Sequence, residues 1–122
     1  MMTLTIQSCP AQKADIRMDK LYGVKWVHSH EDDEGEIEAY RPDSYQFPPS
    51  RGRRGFTMLK DHSFINYEIA PTDGIRERKG QWENESDNTV SILFGQHDKN
   101  RNFKLEFVSY EKNLLKLKII QN

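Results

Sequence analysis

Along most of the chain, apolar and polar residues alternate one by one, the period of a β-strand with one buried face. The alternation is cleanest late in the sequence. Val90/Ile92/Phe94, Phe103/Leu105/Phe107 and Leu115/Leu117/Ile119 form apolar faces, with Ser91, Lys104, Glu106, Lys116 and Lys118 opposite. One apolar and one polar face per strand is the pattern of an antiparallel sheet with a wet side. The first such segment puts Tyr22, Val24, Trp26, His28 and His30 on one face. In all, the pattern predicts eight strands, over residues 22–30, 36–41, 54–60, 63–70, 78–83, 89–94, 102–109 and 114–120.

The breaks between them are short and have turn chemistry. In Pro71-Thr72-Asp73-Gly74, proline presets φ and glycine accepts a positive φ. The acidic run Glu31-Asp32-Asp33-Glu34 with Gly35 reads as a solvated turn. Eight strands in one meander leave two exposed edges unless the sheet closes. The expected fold is therefore all-β, an eight-stranded antiparallel up-and-down barrel. At eight strands the interior is filled by side chains or holds one small ligand, and both alternatives stand. The fourth strand has two readings. Either Phe64/Asn66/Glu68 or Ile65/Tyr67/Ile69 faces inward, and the apolar count favours the second.

Residues 1–20 differ from the rest. Met1 to Ile6 fits a short strand, Pro10 breaks it, and the stretch up to Lys20 fits a short N-terminal helix or a docked tail. The division is thus a 1–20 tail and a 21–122 barrel domain.

Composition narrows the function. A chain of 122 residues suits one domain with a real core. A formal net charge of −1 argues against a nucleic-acid footprint and against a polybasic membrane-surface protein. Cys9 is the single cysteine and has no internal disulfide partner. There is no signal-peptide pattern and no apolar run of membrane-spanning length, so a cytoplasmic location is the expectation.

The long segment 42–53 carries Pro42, Pro48 and Pro49, the aromatics Tyr45 and Phe47, and the basic run Arg51-Gly52-Arg53-Arg54. Long loops in small domains are often lids or binding loops. Arginine forks suit carboxylate and phosphate groups. If Phe56 faces inward, so does Arg54, at the barrel mouth, with Tyr45 and Phe47 as a lid. The competing reading pairs these arginines with Glu38, Glu68 or Glu77 on the surface. Glu68, if inward, needs a partner such as Arg54 or His28, and those three are the one set suited to acid–base work. No Gly-x-Ser-x-Gly, P-loop, dinucleotide fingerprint or Cys-x-x-Cys occurs, so no catalytic residue and no cofactor is assigned. His28 and His30 lack enough nearby ligands for a metal site. Trp26 and Trp82 read as core plugs, or else as walls of a ligand cavity. Val27, Leu59 and Leu93 would form an outward patch if the barrel is solid and pairs with another chain, for instance as a homodimer.

Three stretches add a resemblance: Gly23-Val24-Lys25-Trp26, then Phe47-Pro48-Pro49-Ser50-Arg51-Gly52-Arg53-Arg54-Gly55-Phe56, then Gly80-Gln81-Trp82. With the strand count, they make residues 21–120 resemble the small lipocalin-like (calycin-type) proteins of bacteria. The resemblance implies a barrel with a small-molecule site. The ligand would be apolar or acidic and held by Trp26, His28, Tyr45, Phe47, Arg51, Arg54, Glu68 and Trp82.

Overall fold

Every one of the period-two segments becomes a strand in the computed structural model, which describes residues 18–50, 52–72, 74–95 and 101–121. The strands are β1 (Trp26–His28), β2 (Glu38–Pro42), β3 (Gly55–Met58), β4 (Ser63–Ile69), β5 (Ile75–Ser86), β6 (Thr89–Leu93), β7 (Phe103–Glu111) and β8 (Leu114–Gln121). They close into an antiparallel barrel in the order β1-β2-β8-β7-β6-β5-β4-β3, with β3 pairing back on β1. From β3 to β8 the chain is a plain meander. The one departure is β1, which lies between β2 and β3, so β2 meets β8 instead of β3. All neighbours remain antiparallel, so β2 and β3 run the same way. Their connection must carry the chain back along the barrel.

That return needs room beside β1. A Cβ at Gly55 would lie 2.1 Å from the Trp26 carbonyl oxygen, far inside contact distance. Gly80 is similar, with the Leu93 carbonyl oxygen at 2.5 Å and the Phe94 ring at 2.7 Å. Both glycines sit where one strand presses on its neighbour.

The inward faces fill the lower barrel. Trp26, Phe64, Trp82, Ile92, Leu105, Phe107, Leu115 and Leu117 are all almost fully buried. Burying such side chains is worth about 1.5–3 kcal/mol each, before the ordering entropy is subtracted. Leu21, preceding β1, closes this end with no exposed surface, and its carbonyl accepts the Trp26 indole N–H at 3.1 Å. The Trp82 indole N–H donates to the Leu59 carbonyl at 2.8 Å. Among the described residues, no buried side-chain nitrogen or oxygen lacks a partner, as buried polar groups require.

Two sequence expectations change. In β4 the inward face is Phe64, Asn66 and Glu68, against the apolar count. Phe64 is buried and stacks on Phe56 at 5.7 Å, whereas Ile69 is 47% exposed. Asn66 and Glu68 face in because they lie at the open end, where they bond each other and Arg78. Outward Tyr67 is buried by other means: Lys25 lies over its ring and its hydroxyl meets Thr57 Oγ1 at 3.1 Å. The acidic run is no loose turn either. Glu31 and Asp32 lie in a one-turn 3-10 helix, His30–Asp32, that Asp33 caps, and each of the three takes a basic partner.

Met18–Lys20 form a single 3-10 turn. The readings made for residues 1–17, a strand and a helix or tail, lie outside the described residues. No helix among the described residues is long and apolar enough to cross a membrane.

Candidate functional site

The plugged end and the open end are set by strand direction. His28, Glu38, Gly55, Ile69, Phe103 and Gln121 all stand at the open end of their strands. There the inward residues stop meeting across the barrel and leave a pocket of about 540 Å³. Its apolar lining is Phe56, Ile69, Phe103, Leu105 and Ile119, and its polar groups come from Tyr40, Arg54, Asn66, Tyr67, Glu68, Arg101 and Gln121. A largely apolar concavity with a few convergent polar groups is the usual form of a small-molecule site.

The polar groups are wired in two sets. On the β2–β3 side, period two puts Glu38 and Tyr40 on one face. The Tyr40 hydroxyl donates to Glu38 Oε1 at 2.9 Å. Arg54 donates to the Tyr40 oxygen at 3.0 Å and to Glu38 Oε2 at 3.1 Å, closing a three-membered ring of bonds. Burial opposes ionisation of Glu38, but the bonds from Arg54 and Tyr40 outweigh it and hold its pKa below the ordinary value. Burial pushes the Tyr40 phenol well up, so it stays a neutral donor. On the β4–β5 side, Glu68 Oε2 accepts from Arg78 Nε at 2.9 Å and from Asn66 Nδ2 at 3.1 Å. Burial again raises and Arg78 lowers, with a net downward shift for Glu68.

The residues singled out from sequence divide sharply. Arg54 and Glu68 line the pocket. His28 is outside the pocket lining: its ring lies 5.2 Å from that of Tyr40 between centroids, and its Nε2 pairs with Asp33 at 2.9 Å. Asp33 also accepts the Ala39 N–H at 2.8 Å, so His28 belongs to the anchoring of the β1–β2 connection. Trp26 and Trp82 belong to the core below the pocket and do not line it. The lid expected from Tyr45 and Phe47 is corrected. Tyr45 is 42% exposed and rests on Arg41, and Phe47 rests on Arg53, both outside the pocket lining. The described ends of the connection are fixed beside β1, the Asp43 N–H donating to the Lys25 carbonyl and Arg53 to the His28 carbonyl. Arg51 lies outside the described residues.

Sequence reading missed Tyr40 and Arg101, and named Asn66 only on the β4 face it disfavoured. The signal for Tyr40 was present: Glu38 and Tyr40 share a face, and an inward glutamate beside a tyrosine belongs at a mouth. Arg101 gave none, since it sits in a polar connection. The expected outward patch also moves. Val27, Leu59 and Leu93 are half-buried, and the exposed large apolar residues are Tyr45, Ile69, Ile75 and Ile120. Among the described residues, no three His, Cys, Asp or Glu side chains gather closely enough for a metal ion. Comparison of the chain with protein-family models, curated proteins and solved structures finds no match.

Proposed function

We propose that the protein is a lipocalin-like binding barrel that holds one small apolar or acidic molecule in its open end. The pocket carries this reading. Its volume of about 540 Å³ falls within the ~300–1,000 Å³ typical of small-molecule sites. The apolar body of a ligand would lie against Phe56, Phe103, Leu105 and Ile119, and its polar end would reach Tyr40, Arg54 and Asn66. The experiment is a titration with Nile red, a neutral apolar dye. Saturable one-to-one binding that Ile119→Trp abolishes, with the fold intact by circular dichroism, is the expected result. Absence of binding, or equal binding by Ile119→Trp, would reject the pocket as the site.

A second reading, an interaction module, draws on Ile69 and Ile75. They pair across the β4–β5 ladder and are 47% and 48% exposed. It predicts a dimer by light scattering that Ile75→Lys disrupts. A monomer at high concentration counts against it.

A further inference from the structure

We infer that the pocket selects a compact, planar aromatic anion, such as a two-ring aryl carboxylate, over a long-chain fatty acid; this rests on the binding-barrel reading above. Three independent features point there.

The first is depth. Along β8, Leu117 belongs to the fully buried core, Ile119 lines the pocket and Gln121 stands at the rim. At ~3.3 Å per residue and a tilt of roughly 40°, that stretch measures only ~10 Å along the barrel axis. An acyl chain long enough to fill one bilayer leaflet extends ~15 Å. A volume of about 540 Å³ in so shallow a space makes the pocket broad. Below it, Phe64, Phe107 and Leu117 are packed without exposed surface to speak of, so a chain cannot thread deeper.

The second is the wall. Tyr40, Phe56 and Phe103 all line the pocket. The Tyr40 and Phe56 rings meet edge to face at 5.2 Å, and Phe64 supports both Phe56 and Phe103 from beneath at 5.7 and 6.1 Å. Rings held in fixed orientations by other rings favour a rigid planar guest by stacked and edge-on contact.

The third is charge. Arg54 and Arg101 line the pocket with Glu68, and Glu38 and Arg78 bond to lining residues. Arg54 carries five N–H donors, gives one bond each to Tyr40 and Glu38, and keeps 41% of its side chain exposed, so its fork can still take a carboxylate. An anionic head group at Arg54 replaces water on a guanidinium that is already oriented by Tyr40 and Glu38.

The test is displacement of bound Nile red by 2-naphthoate, 2-naphthamide and hexadecanoate, each below its aggregation limit. Binding of the neutral dye itself reports on the pocket, independently of what displaces it. The expected order is naphthoate at least tenfold stronger than either of the others. Arg54→Ala should remove about tenfold from naphthoate and clearly less from naphthamide, whose neutral carbonyl gains only an uncharged acceptor's share of the Arg54 bond. Arg54→Lys, which keeps the charge and is less able to distort the mouth, should recover part of that loss. Dye binding with hexadecanoate equal to or stronger than naphthoate would overturn the shape argument. Dye binding with amide and acid equal would overturn the charge argument. In both cases the binding-barrel reading survives, whereas failure of the dye to bind would remove its foundation.

Discussion

Arg53 grips Glu31 with two hydrogen bonds, at 3.0 and 2.7 Å, although the two residues lie on different connections of the barrel. The same guanidinium donates to the carbonyls of His28 and Pro48 at 3.0 and 2.8 Å, and its face lies on Phe47. It therefore ties the β2–β3 return segment to the end of β1, at the one place where strand order departs from chain order. Arg53→Lys keeps a charge but loses the fork. The expected outcome is a clearly lower melting temperature, and faster proteolysis within residues 43–54 than elsewhere. Unchanged proteolysis there would show that the return segment is held by something else.

The same contact predicts how stability depends on acid. The bonds from Arg53, with a backbone bond, lower Glu31 from 4.5 to about 2. The bond from Ser29 and the pairing with Arg41 lower Asp32, and Glu38 and Glu68 are lowered too. For a carboxylate whose folded pKa is below its unfolded one, the added stability is complete above the unfolded value and drains away as pH falls toward the folded value. Stability should thus hold down to about pH 4.5 and fall steeply between there and about pH 2. Glu31→Gln should flatten part of that fall in denaturant melts at stepped pH. A variant with an unaltered acid limb would remove Glu31 from the account.

Leu21 plugs the closed end from outside the strands. Leu21→Ala opens a cavity against Trp26 and should cost about 2–5 kcal/mol in urea unfolding. Because the pocket is at the other end, dye affinity of the folded fraction should not change. A parallel loss of dye affinity would mean that the two ends are coupled.

Gly55→Ala should be among the most damaging small substitutions in the chain. Its Cβ would overlap the Trp26 carbonyl at 2.1 Å, a backbone atom that cannot rotate away. The loss should reach or exceed the ~1–3 kcal/mol usual for overpacking. Gly74→Ala, with open space around its Cβ, is the control and should change stability by less than about 1 kcal/mol.

Most of the barrel was legible in the chain, because period two survives wherever one face is buried. The late strands, with Val90, Ile92, Leu105 and Phe107 inward, are the clearest case. What was not legible follows from two causes. Near the mouth the inward face turns polar, so counting apolar residues misassigned β4, where Asn66 and Glu68 face in and Ile69 faces out. Across the ring, neighbours are chosen by long-range packing. Nothing local announces that β1 lies between β2 and β3, or that Glu31 is claimed by Arg53. The site suffered from the same causes. Arg54 and Glu68 were found by residue type, Tyr40 was passed over, and Tyr45 and Phe47 were taken for a lid when they rest on Arg41 and Arg53 outside the pocket lining.

The most direct test of the open-ended barrel is a 1H–15N correlation spectrum recorded while 2-naphthoate is added. Saturating shifts are expected at Arg54, Asn66, Glu68 and Phe103, including the Asn66 side-chain amide. Leu21, Trp82 and residues 45–47 should hold still. Shifts centred on Tyr45 and Phe47, or on the Leu21 end, would contradict the open-ended barrel.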